Sequence, residues 1–274
     1  MDADRSRDPD ASSGEAARSE RIDAASPSRA DASAPPVTAK GAPPAVSFEG
    51  VTAERGGRVV LADVSIRIDE RRVGLVGANG SGKSTLARLL NGLVRPSKGT
   101  VRVFGRTVGE DPRRVAEDVG FIFQNPDHQI LFPTVEEEIV FGITRGGRAQ
   151  REDKARARAF LAEHGAGHLA GRPVHELSEG QRHLVAILSV LVGRPRLLVL
   201  DEAFTSLDRP TRRALSARIA ALPQHVIAIA HDLDTLEGFD RILWLADSTI
   251  RADGPPDAVL PAYVAAMDAL DVRL

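Results

Sequence analysis

The sequence predicts an α/β fold in which a largely parallel sheet is covered by helices. Short β-branched runs alternate with amphipathic segments from Val46 onward, which is the pattern of strand–helix–strand units. A glycine-rich loop follows one of these strands directly and leads into a helical pattern. Another buried strand ends in two carboxylates, and the carboxyl ends of parallel strands face the ligand crevice. Together these observations predict an α/β domain that binds phosphate groups.

Composition narrows the class of protein further. The 274 residues include 36 Lys and Arg against 38 Asp and Glu, so the charge of −2 gives no basic surplus for binding nucleic acid. Cysteine is absent, which excludes disulfides and thiolate metal sites and fits a reducing compartment. No apolar run approaches the roughly 18–20 residues that span a bilayer. The first residues include Asp2, Asp4 and Asp8 with no apolar stretch, so we expect no secretory signal and a soluble, intracellular protein.

Residues 1 to about 45 differ from everything after them. They are mostly Ala, Ser, Pro, Asp and Arg, and the first aromatic residue of the chain is Phe48. Such a segment cannot bury enough apolar surface to offset its ordering entropy, so we predict a disordered tail at 1–45. A regulatory or tethering role for the tail is the alternative. We place the folded domain at residues 46–274.

The elements of that domain follow from hydrophobic periodicity. The predicted strands are Val46–Phe48, Val64–Ile68, Val73–Val76, Val101–Phe104, Val119–Phe123, Leu197–Leu200, Val226–Ala230 and Ile242–Leu245. The predicted helices are Ser84–Leu93, Val135–Phe141, Asp153–His164, Gly180–Val192, Pro210–Ala221 and Pro256–Leu270. The stretch from about 125 to 192 contains no convincing strand, so we expect it to form a helical subdomain beside the sheet.

The glycine-rich loop matches the phosphate-binding pattern G-x-x-x-x-G-K-[ST]. Glycines let the backbone curl so that several N–H groups point at one anion, and the following helix adds its positive dipole end. Lys83 is one of only four lysines in the chain; it is predicted to reach the β- and γ-phosphates, and the hydroxyl of Ser84 to bind Mg²⁺. The nucleotide-binding residues of this loop are Gly77, Ala78, Asn79, Gly80, Ser81, Gly82, Lys83, Ser84 and Thr85.

The acidic strand supplies the second half of the predicted chemistry. Four apolar residues, 197–200, end in Asp201 and Glu202. Asp201 would then hold Mg²⁺ directly or through water. Glu202 would lie near the water that attacks the γ-phosphate, where a carboxylate can orient and deprotonate it. The alternative, a solvated acidic turn, weakens because the phosphate loop belongs to the same domain.

A third motif precedes the acidic strand by about twenty residues. Leu177-Ser178-Glu179-Gly180-Gln181 reads as a capped helix start, with Ser178 and Gln181 placed as a capping box. Between a phosphate loop and a Leu-Leu-Val-Leu-Asp-Glu strand, this run resembles the signature of ATP-binding-cassette (ABC) ATPases. The family's other landmarks follow in order: Gln124 after a strand, Ser206-Leu207-Asp208 as the D-loop, and His231 as the switch histidine.

The resemblance covers about residues 46 to 250 and implies both fold and mechanism. It implies a P-loop NTPase cassette with a mostly parallel core sheet, an antiparallel N-terminal β region and a helical subdomain. It implies ATP hydrolysis with Mg²⁺ as cofactor, with catalytic roles for Glu202, His231 and Gln124. The implied metal-binding residues are Ser84, Gln124 and Asp201.

The same resemblance implies a second subunit. In the family, the signature and the D-loop act on ATP held by the other subunit, so two cassettes close head-to-tail over two nucleotides. The residues expected to act on the partner's nucleotide are Ser178, Glu179, Gly180, Gln181 and Asp208. This chain carries both halves of a site, so a homodimer is possible, and a heterodimer with a second cassette stays open.

Two departures from the family pattern have physical consequences. The stretch before the second strand lacks the usual aromatic residue that stacks on adenine, and Arg55 or Arg58 is expected to place its planar guanidinium there. Ala203 stands where the family usually has Pro, which should loosen the turn after Glu202 but removes no chemical group.

Residues 123–142 indicate the subgroup. Gln-Asn-Pro-Asp-x-Gln followed by Pro-Thr-Val-Glu-Glu and Phe-Gly looks like the energy-coupling-factor (ECF) and cobalt/nickel group of vitamin and metal-ion importers. Asn125-Pro126 is predicted to end the strand, and Thr134 to cap the next helix. With about 43 residues after His231, the chain looks most like the ATPases of biotin uptake systems, with cobalt or nickel uptake as the second interpretation.

This interpretation implies partners and a location. A transmembrane coupling protein and a substrate-binding membrane protein are expected, with the chain peripheral on the cytoplasmic face of the cell membrane. The alternatives are the ATPase of another ABC importer or exporter, a soluble ABC ATPase of DNA repair or translation, and a non-catalytic nucleotide switch. The last is disfavoured because Glu202 and His231 are both present.

Overall fold

The computed structural model describes residues 43–236 and 238–269. Of the disordered tail predicted at 1–45, residues 1–42 lie outside the described part of the chain. Ala45 already belongs to the folded domain, since it is buried and its oxygen accepts from the N–H of Phe104 at 2.9 Å. The strands are β1 (Val46–Arg55), β2 (Arg58–Ile68), β3 (Arg72–Val76), β4 (Lys98–Val103), β5 (Arg106–Thr107), β6 (Val119–Ile122), β7 (Leu197–Asp201), β8 (His225–Ile229), β9 (Arg241–Ala246) and β10 (Thr249–Gly254). The helices are α1 (Lys83–Leu90), α2 (Pro112–Asp118), α3 (Val135–Thr144), α4 (Arg151–Glu163), α5 (Glu179–Leu191), α6 (Arg209–Ala220) and α7 (Pro256–Asp268). Within these ranges, no helix has the length and apolar character needed to cross a membrane.

The strands form two sheets of different character. The smaller sheet has the order β2-β1-β4-β5 and is antiparallel throughout. The larger sheet has the order β10-β9-β3-β8-β7-β6, and every pairing except that of β10 with β9 is parallel. The mostly parallel core sheet and the antiparallel N-terminal β region predicted from the sequence are both present.

The parallel sheet is covered on both faces. All five residues of β3 and all five of β7 are buried, which is typical of a parallel sheet between two layers. Leu198 and Leu200 point into one apolar cluster, shared with α3, α5 and α7, whereas Val199 points into a second cluster, shared with β1, β2 and α1. Each fully buried side chain of this size contributes about 1.5–3 kcal/mol relative to an exposed one.

The segment between β6 and β7 is helical, as its periodicity predicts. It contains α3, α4 and α5 with short 3₁₀ turns. Thr134 and Pro173 form an isolated β-bridge within it. Thr134 caps α3, since its hydroxyl accepts from the backbone N–H of Glu137 at 3.4 Å. Pro126 opens a 3₁₀ turn directly after the strand, which agrees with the strand end predicted at Asn125-Pro126.

Three elements of the structure were not predicted from the sequence, and each buries few of its own residues. Helix α2 buries only Val115, β5 has two residues, and β10 is an edge strand with no fully buried residue. Such elements form because a neighbour pairs with or covers them, so their own periodicity carries little signal.

Gly142 gives a test of the α3–α5 packing. A Cβ at this position would overlap the backbone oxygen of Ser189 and lie 2.5 Å from Cγ1 of Val192, so the two helices approach closely because this residue is Gly. We expect Gly142→Ala to lower the free energy of unfolding by about 1–3 kcal/mol, although alanine favours an isolated helix. Denaturant unfolding measures this. Gly171→Ala, with no atom within 4 Å of the added Cβ, is the control and should stay within about 0.5 kcal/mol. Equal stability of the two variants would contradict the packing argument.

Candidate functional site

The loop between β3 and α1 has the curled backbone that the phosphate-binding pattern predicts. Gly80 and Gly82 have φ values of 81° and 104°, which favour glycine. A Cβ on Gly82 would lie 2.6 Å from the backbone oxygen of Val60, and one on Gly77 would overlap the backbone oxygen of Leu245. The loop therefore lies tightly between β2 and β9, and its glycines are required by space as well as by conformation.

Lys83 begins α1 and its side chain is folded over the loop. Its ammonium donates to the backbone oxygens of Gly77 at 2.8 Å and Ala78 at 2.9 Å. Burial lowers the pKa of Lys83, and the nearby carboxylates of Glu202 and Asp201 oppose that shift. The loop thus holds a buried cation whose present partners are uncharged carbonyl groups, which an anionic phosphate can replace.

A cavity of about 310 Å³ opens over this loop. Residues from the loop, from the β1–β2 hairpin and from the end of β7 line it. They are Arg55, Val60, Asn79, Gly80, Gly82, Lys83, Ser84, Thr85 and Glu202. Arg55, one of the two arginines predicted to contact the base, is among these lining residues. Val60 was not predicted, because a valine within a strand carries no signal for a binding role.

Ser84 and Asp201 form the second polar pair of the site. The Ser84 hydroxyl donates to Oδ1 of Asp201 at 3.0 Å, and Arg88 approaches Oδ2 at 3.7 Å. Burial raises the pKa of Asp201, while the hydrogen bond from Ser84 and the charge of Arg88 oppose the rise. A hydroxyl and a carboxylate at this separation form the hard oxygen donor set that suits Mg²⁺, which keeps water and phosphate as its remaining ligands.

Glu202 and His231 meet beside the same loop. Nε2 of His231 lies 2.8 Å from Oε1 of Glu202. Glu202 has a φ of 55°, an uncommon left-handed conformation that costs of order 1–3 kcal/mol and clusters at active sites. Its N–H still bonds to the oxygen of Ile229, so the turn begins immediately after the last strand contact. The hydroxyl and N–H of Thr205 close that turn onto the oxygen of Glu202 at 3.0 and 3.3 Å.

The signature residues and Asp208 form a second group, in which Ser178, Glu179 and Asp208 are exposed and Gly180 and Gln181 are half-buried. We call these five residues the partner-facing group, after the role that the family resemblance implies for them. The capping box is formed: the hydroxyl of Ser178 accepts from the N–H of Gln181 at 3.3 Å, and the Gln181 side chain accepts from the N–H of Ser178 at 3.0 Å. Asp208 caps α6, and its bond from Thr211 N–H lowers its pKa. None of these residues lines the 310 Å³ cavity.

Gln124 follows β6 and its side chain is exposed. Its backbone oxygen lies 3.4 Å from Nε2 of His183, a buried residue of α5 whose Nδ1 is 3.0 Å from the oxygen of Glu179. Gln129 adds a second link, accepting from Phe123 N–H at 3.3 Å and donating to the oxygen of Ala186 at 2.7 Å.

A third link joins Arg182 to Asp127 at 3.4 Å. The Asn-Pro-Asp-x-Gln run therefore fastens the Gln124 segment to the signature helix. His183 and Arg182 were not predicted, since their role depends on a contact between segments almost sixty residues apart.

The fold and this loop define a class of protein: an α/β nucleotide-binding protein with a phosphate loop between a central parallel strand and a helix. The family model described as "ABC transporter" matches residues 61–205, just over half of the chain. The chain therefore belongs to the ABC transporter family, and it is an ATP-binding ABC ATPase subunit, as its motifs predict.

Curated relatives refine the likeness. The biotin transport ATP-binding protein BioM of Rhodobacter capsulatus is 49% identical over 226 residues, which cover 82% of this chain and 97% of that protein. BioM of Rhizobium etli is 42% identical over 218 residues, with 80% and 97% coverage. The solved structure of CbiO1 from Clostridium perfringens, described as part of the ABC transporter complex CbiONQ, is 26% identical with a TM-score of 0.72 and covers 82% of this chain and 94% of that one.

Lys83 allows a direct test of the phosphate loop. We expect Lys83→Ala to weaken ATP binding by about 100-fold or more, because the variant loses a charged donor to phosphate and the two bonds that shape the loop. Lys154, one of the other three lysines, lies on α4 and is 61% exposed, so Lys154→Ala is the control and should bind ATP like the wild type. Equilibrium binding of a fluorescent ATP analogue measures both. Unchanged affinity in Lys83→Ala would contradict the assignment of the loop.

Proposed function

We propose that this chain binds and hydrolyses ATP to drive uptake of biotin through a separate transmembrane complex. The observation that carries the proposal is near-full-length identity of 49% to a biotin transport ATP-binding protein. The arrangement of Lys83, Asp201, Glu202 and His231 around one loop supports the hydrolytic part.

The proposed chemistry begins with binding. The N–H groups of the loop 77–82 and the ammonium of Lys83 hold the β- and γ-phosphates, and the start of α1 adds its positive dipole end. Ser81 fits this role, since its buried hydroxyl has no hydrogen-bond partner among the described residues and faces the curl of the loop at Gly77. A β-phosphate oxygen would satisfy that hydroxyl.

Hydrolysis follows from the Glu202–His231 pair. Glu202 accepts a proton from the attacking water, whose oxygen bonds to the γ-phosphorus as the bond to the β–γ bridging oxygen breaks and ADP leaves. His231 lies 2.8 Å from Glu202 and orients it. The His231 imidazole is proposed to contact the γ-phosphate as well. The exposed Gln124 side chain is proposed to reach the γ-phosphate and its water.

Mg²⁺ is proposed to be held by Ser84 and Asp201, with Gln124 as a further ligand. When held by these residues, Mg²⁺ would supply positive charge that offsets the negative charge developing during phosphoryl transfer. The burial that raises the pKa of Asp201 also strengthens its attraction for a dication, because fewer water molecules compete.

The base contact is proposed to come from Arg55. It lines the cavity on the β1–β2 side together with Val60, and this hairpin supplies an apolar edge and a planar cation in place of an aromatic ring. Arg58, the second candidate of the sequence analysis, is exposed at the start of β2 and does not line the cavity.

The assembly is proposed to be a dimer of cassettes. Ser178, Glu179 and Asp208 of the partner-facing group are exposed, and the group lies outside the chain's own nucleotide cavity, which supports a role on a nucleotide held by a second subunit. One chain carries both halves, which supports a homodimer; a second, different cassette is the alternative. The further proposed partners are a transmembrane coupling protein and a substrate-binding membrane protein, with this chain peripheral on the cytoplasmic face of the membrane.

A second cargo class, a transition-metal ion, is suggested by the resemblance of residues 123–142 to the ECF and cobalt/nickel importer group. The structural likeness to CbiO1, part of the CbiONQ complex, extends over 82% of the chain and supports membership in an importer complex. Cargo would touch the membrane partner rather than this subunit, so the two classes differ in partner and not in the ATP site.

Glu202 provides the test of the hydrolytic step. We expect Glu202→Gln to keep ATP affinity but to lower the hydrolysis rate at least about 100-fold, because the amide cannot accept the proton. The variant should accumulate as an ATP-bound dimer in analytical ultracentrifugation. Glu163→Gln, an exposed change at the end of α4, is the control and should hydrolyse ATP normally. Turnover by Glu202→Gln at the wild-type rate would refute the general-base role.

Cargo is tested with the complex from native membranes. We expect the tagged chain to co-purify with two membrane proteins, and the reconstituted complex to accumulate radiolabelled biotin only with ATP and with Glu202 intact. Accumulation of cobalt or nickel instead would select the second cargo class. Co-purification with an extracytoplasmic soluble or lipoprotein substrate receptor would contradict the assignment to this importer group.

A further inference from the structure

Arg212, in the first turn of α6, connects two loops that the proposed mechanism uses separately. Its Nη2 donates to the backbone oxygen of Leu207 at 2.9 Å, and its Nη1 forms an ion pair with Asp232. The Arg212 side chain is only 23% exposed and that of Asp232 39%, so the pair is less screened than an open surface bridge. Nε of Arg212 is buried without a hydrogen-bond partner among the described residues. The guanidinium is therefore held by these two contacts.

The two loops serve opposite nucleotides. Asp232 directly follows His231, whose imidazole holds Glu202 at the chain's own phosphate loop. Leu207 directly precedes Asp208 of the partner-facing group. Arg212 therefore connects the loop beside the chain's own phosphate loop to the surface proposed to act on the partner's ATP.

Both ends of this connection are attached to ordered structure. Oδ1 of Asp232 accepts from the N–H of Asp234 at 3.2 Å, and its backbone oxygen accepts from the hydroxyl of Thr235 at 2.6 Å. At the other end, the N–H of Arg212 itself bonds to the oxygen of Asp208 at 2.9 Å. A shift of the loop at 231–235 consequently pulls on the helix start rather than on a free side chain.

The start of α6 also abuts the signature helix. A Cβ on Gly180 would lie 2.5 Å from Cγ2 of Thr211, the residue before Arg212. Gly180 is thus in close contact with α6, and a displacement of Thr211 must move the signature as well. Behind these contacts, a cavity of about 260 Å³ is lined by Arg212, Glu202 and His231, which leaves room for the connected loops to rearrange.

We propose that Arg212 is a positioning residue that couples His231 to the partner-facing group. When His231 engages a γ-phosphate, the displacement passes through Asp232 and Arg212 to Asp208 and Gly180. The chain's own ATP thereby prepares the surface that completes the partner's site. This inference rests on the proposed hydrolytic function and adds a route between the two sites.

Arg212→Met tests the coupling in the full-length protein, since it removes both contacts and keeps the apolar stem. We expect ATP affinity within about twofold of the wild type, because Arg212 does not line the nucleotide cavity. We expect kcat to fall about tenfold or more, which corresponds to the loss of roughly one charged hydrogen bond. In the Glu202→Gln background, the ATP-induced dimer should weaken by a similar factor. Arg213→Met, an exposed change at the next residue, is the control and should alter none of these values.

A merely structural role gives a different pattern. If Arg212 only stabilised the fold, Arg212→Met would lower Tm while kcat per folded protein and dimerisation stayed normal, and this outcome would overturn the proposal. Asp232→Asn offers a second route should Arg212→Met fold poorly: it keeps the shape of the loop, and kcat should fall while ATP binding persists. The double variant should be about as slow as Arg212→Met alone, because both changes break one connection.

If the two substitutions lowered kcat independently, so that the fall in the double variant equalled the product of the two single effects, the coupling would also be overturned. Measurements on the wild type separate the role of Arg212 from the proposed function on which it rests. Absence of hydrolysis by the wild type, or of ATP-induced dimerisation of Glu202→Gln, would overturn the proposed function and the role of Arg212 together. Normal behaviour of both, with Arg212→Met matching Arg213→Met, would overturn the role of Arg212 alone.

Discussion

The parallel register of β3, β8 and β7 determines where every reactive group of the candidate site lies. Leu75 pairs with Ile229, and Ile229 pairs in turn with Asp201, so the three strands end within about one residue of each other. The phosphate loop, the two carboxylates and His231 consequently leave the sheet at one edge. A slip of one residue in β7 would turn Asp201 to the opposite face and away from Ser84. Because both faces of the sheet are buried against different apolar clusters, such a slip would also place every side chain of the strand in the wrong layer.

Charge at this edge is balanced in a way that prepares it for an anion. Lys83 is buried against the carbonyls of Gly77 and Ala78, and burial lowers its pKa, whereas burial raises the pKa of Asp201. Each group is therefore less well solvated in its charged form than it would be in water. Bound triphosphate would supply a counter-charge to Lys83, and the Mg²⁺ proposed above would supply one to Asp201. The packing of the sheet offsets the free-energy cost of keeping these two charged groups poorly solvated, and ligand binding recovers part of that cost.

The sequence predicted the parts of this protein that local chemistry determines. A phosphate loop must lie between a strand and a helix, and the acidic pair had to end a buried strand, so the positions of Lys83 and Asp201 followed from spacing alone. Residues whose role arises from contacts distant in sequence were not predicted: Val60 lines the nucleotide cavity from another sheet, and His183 touches the segment of Gln124. The short edge elements β5 and β10 were missed for the same reason, since pairing partners rather than their own residues stabilise them.

The subgroup motif can now be understood as a mechanical connection. Gln129 is the last residue of the Asn-Pro-Asp-x-Gln run. Its side-chain amide accepts from the N–H of Phe123 after β6 and donates to the oxygen of Ala186 in α5, so it links the two segments. A substitution at Gln129 would leave two backbone groups unpaired, so the run is constrained by hydrogen bonding and not by a contact with nucleotide. These bonds join the segment after Gln124 to the signature helix α5. Arg212 joins the loop of His231 to the neighbouring helix α6. Because Gly180 packs against the start of α6, the two connections meet at the partner-facing group, which in the proposed mechanism would respond to the γ-phosphate through both of them.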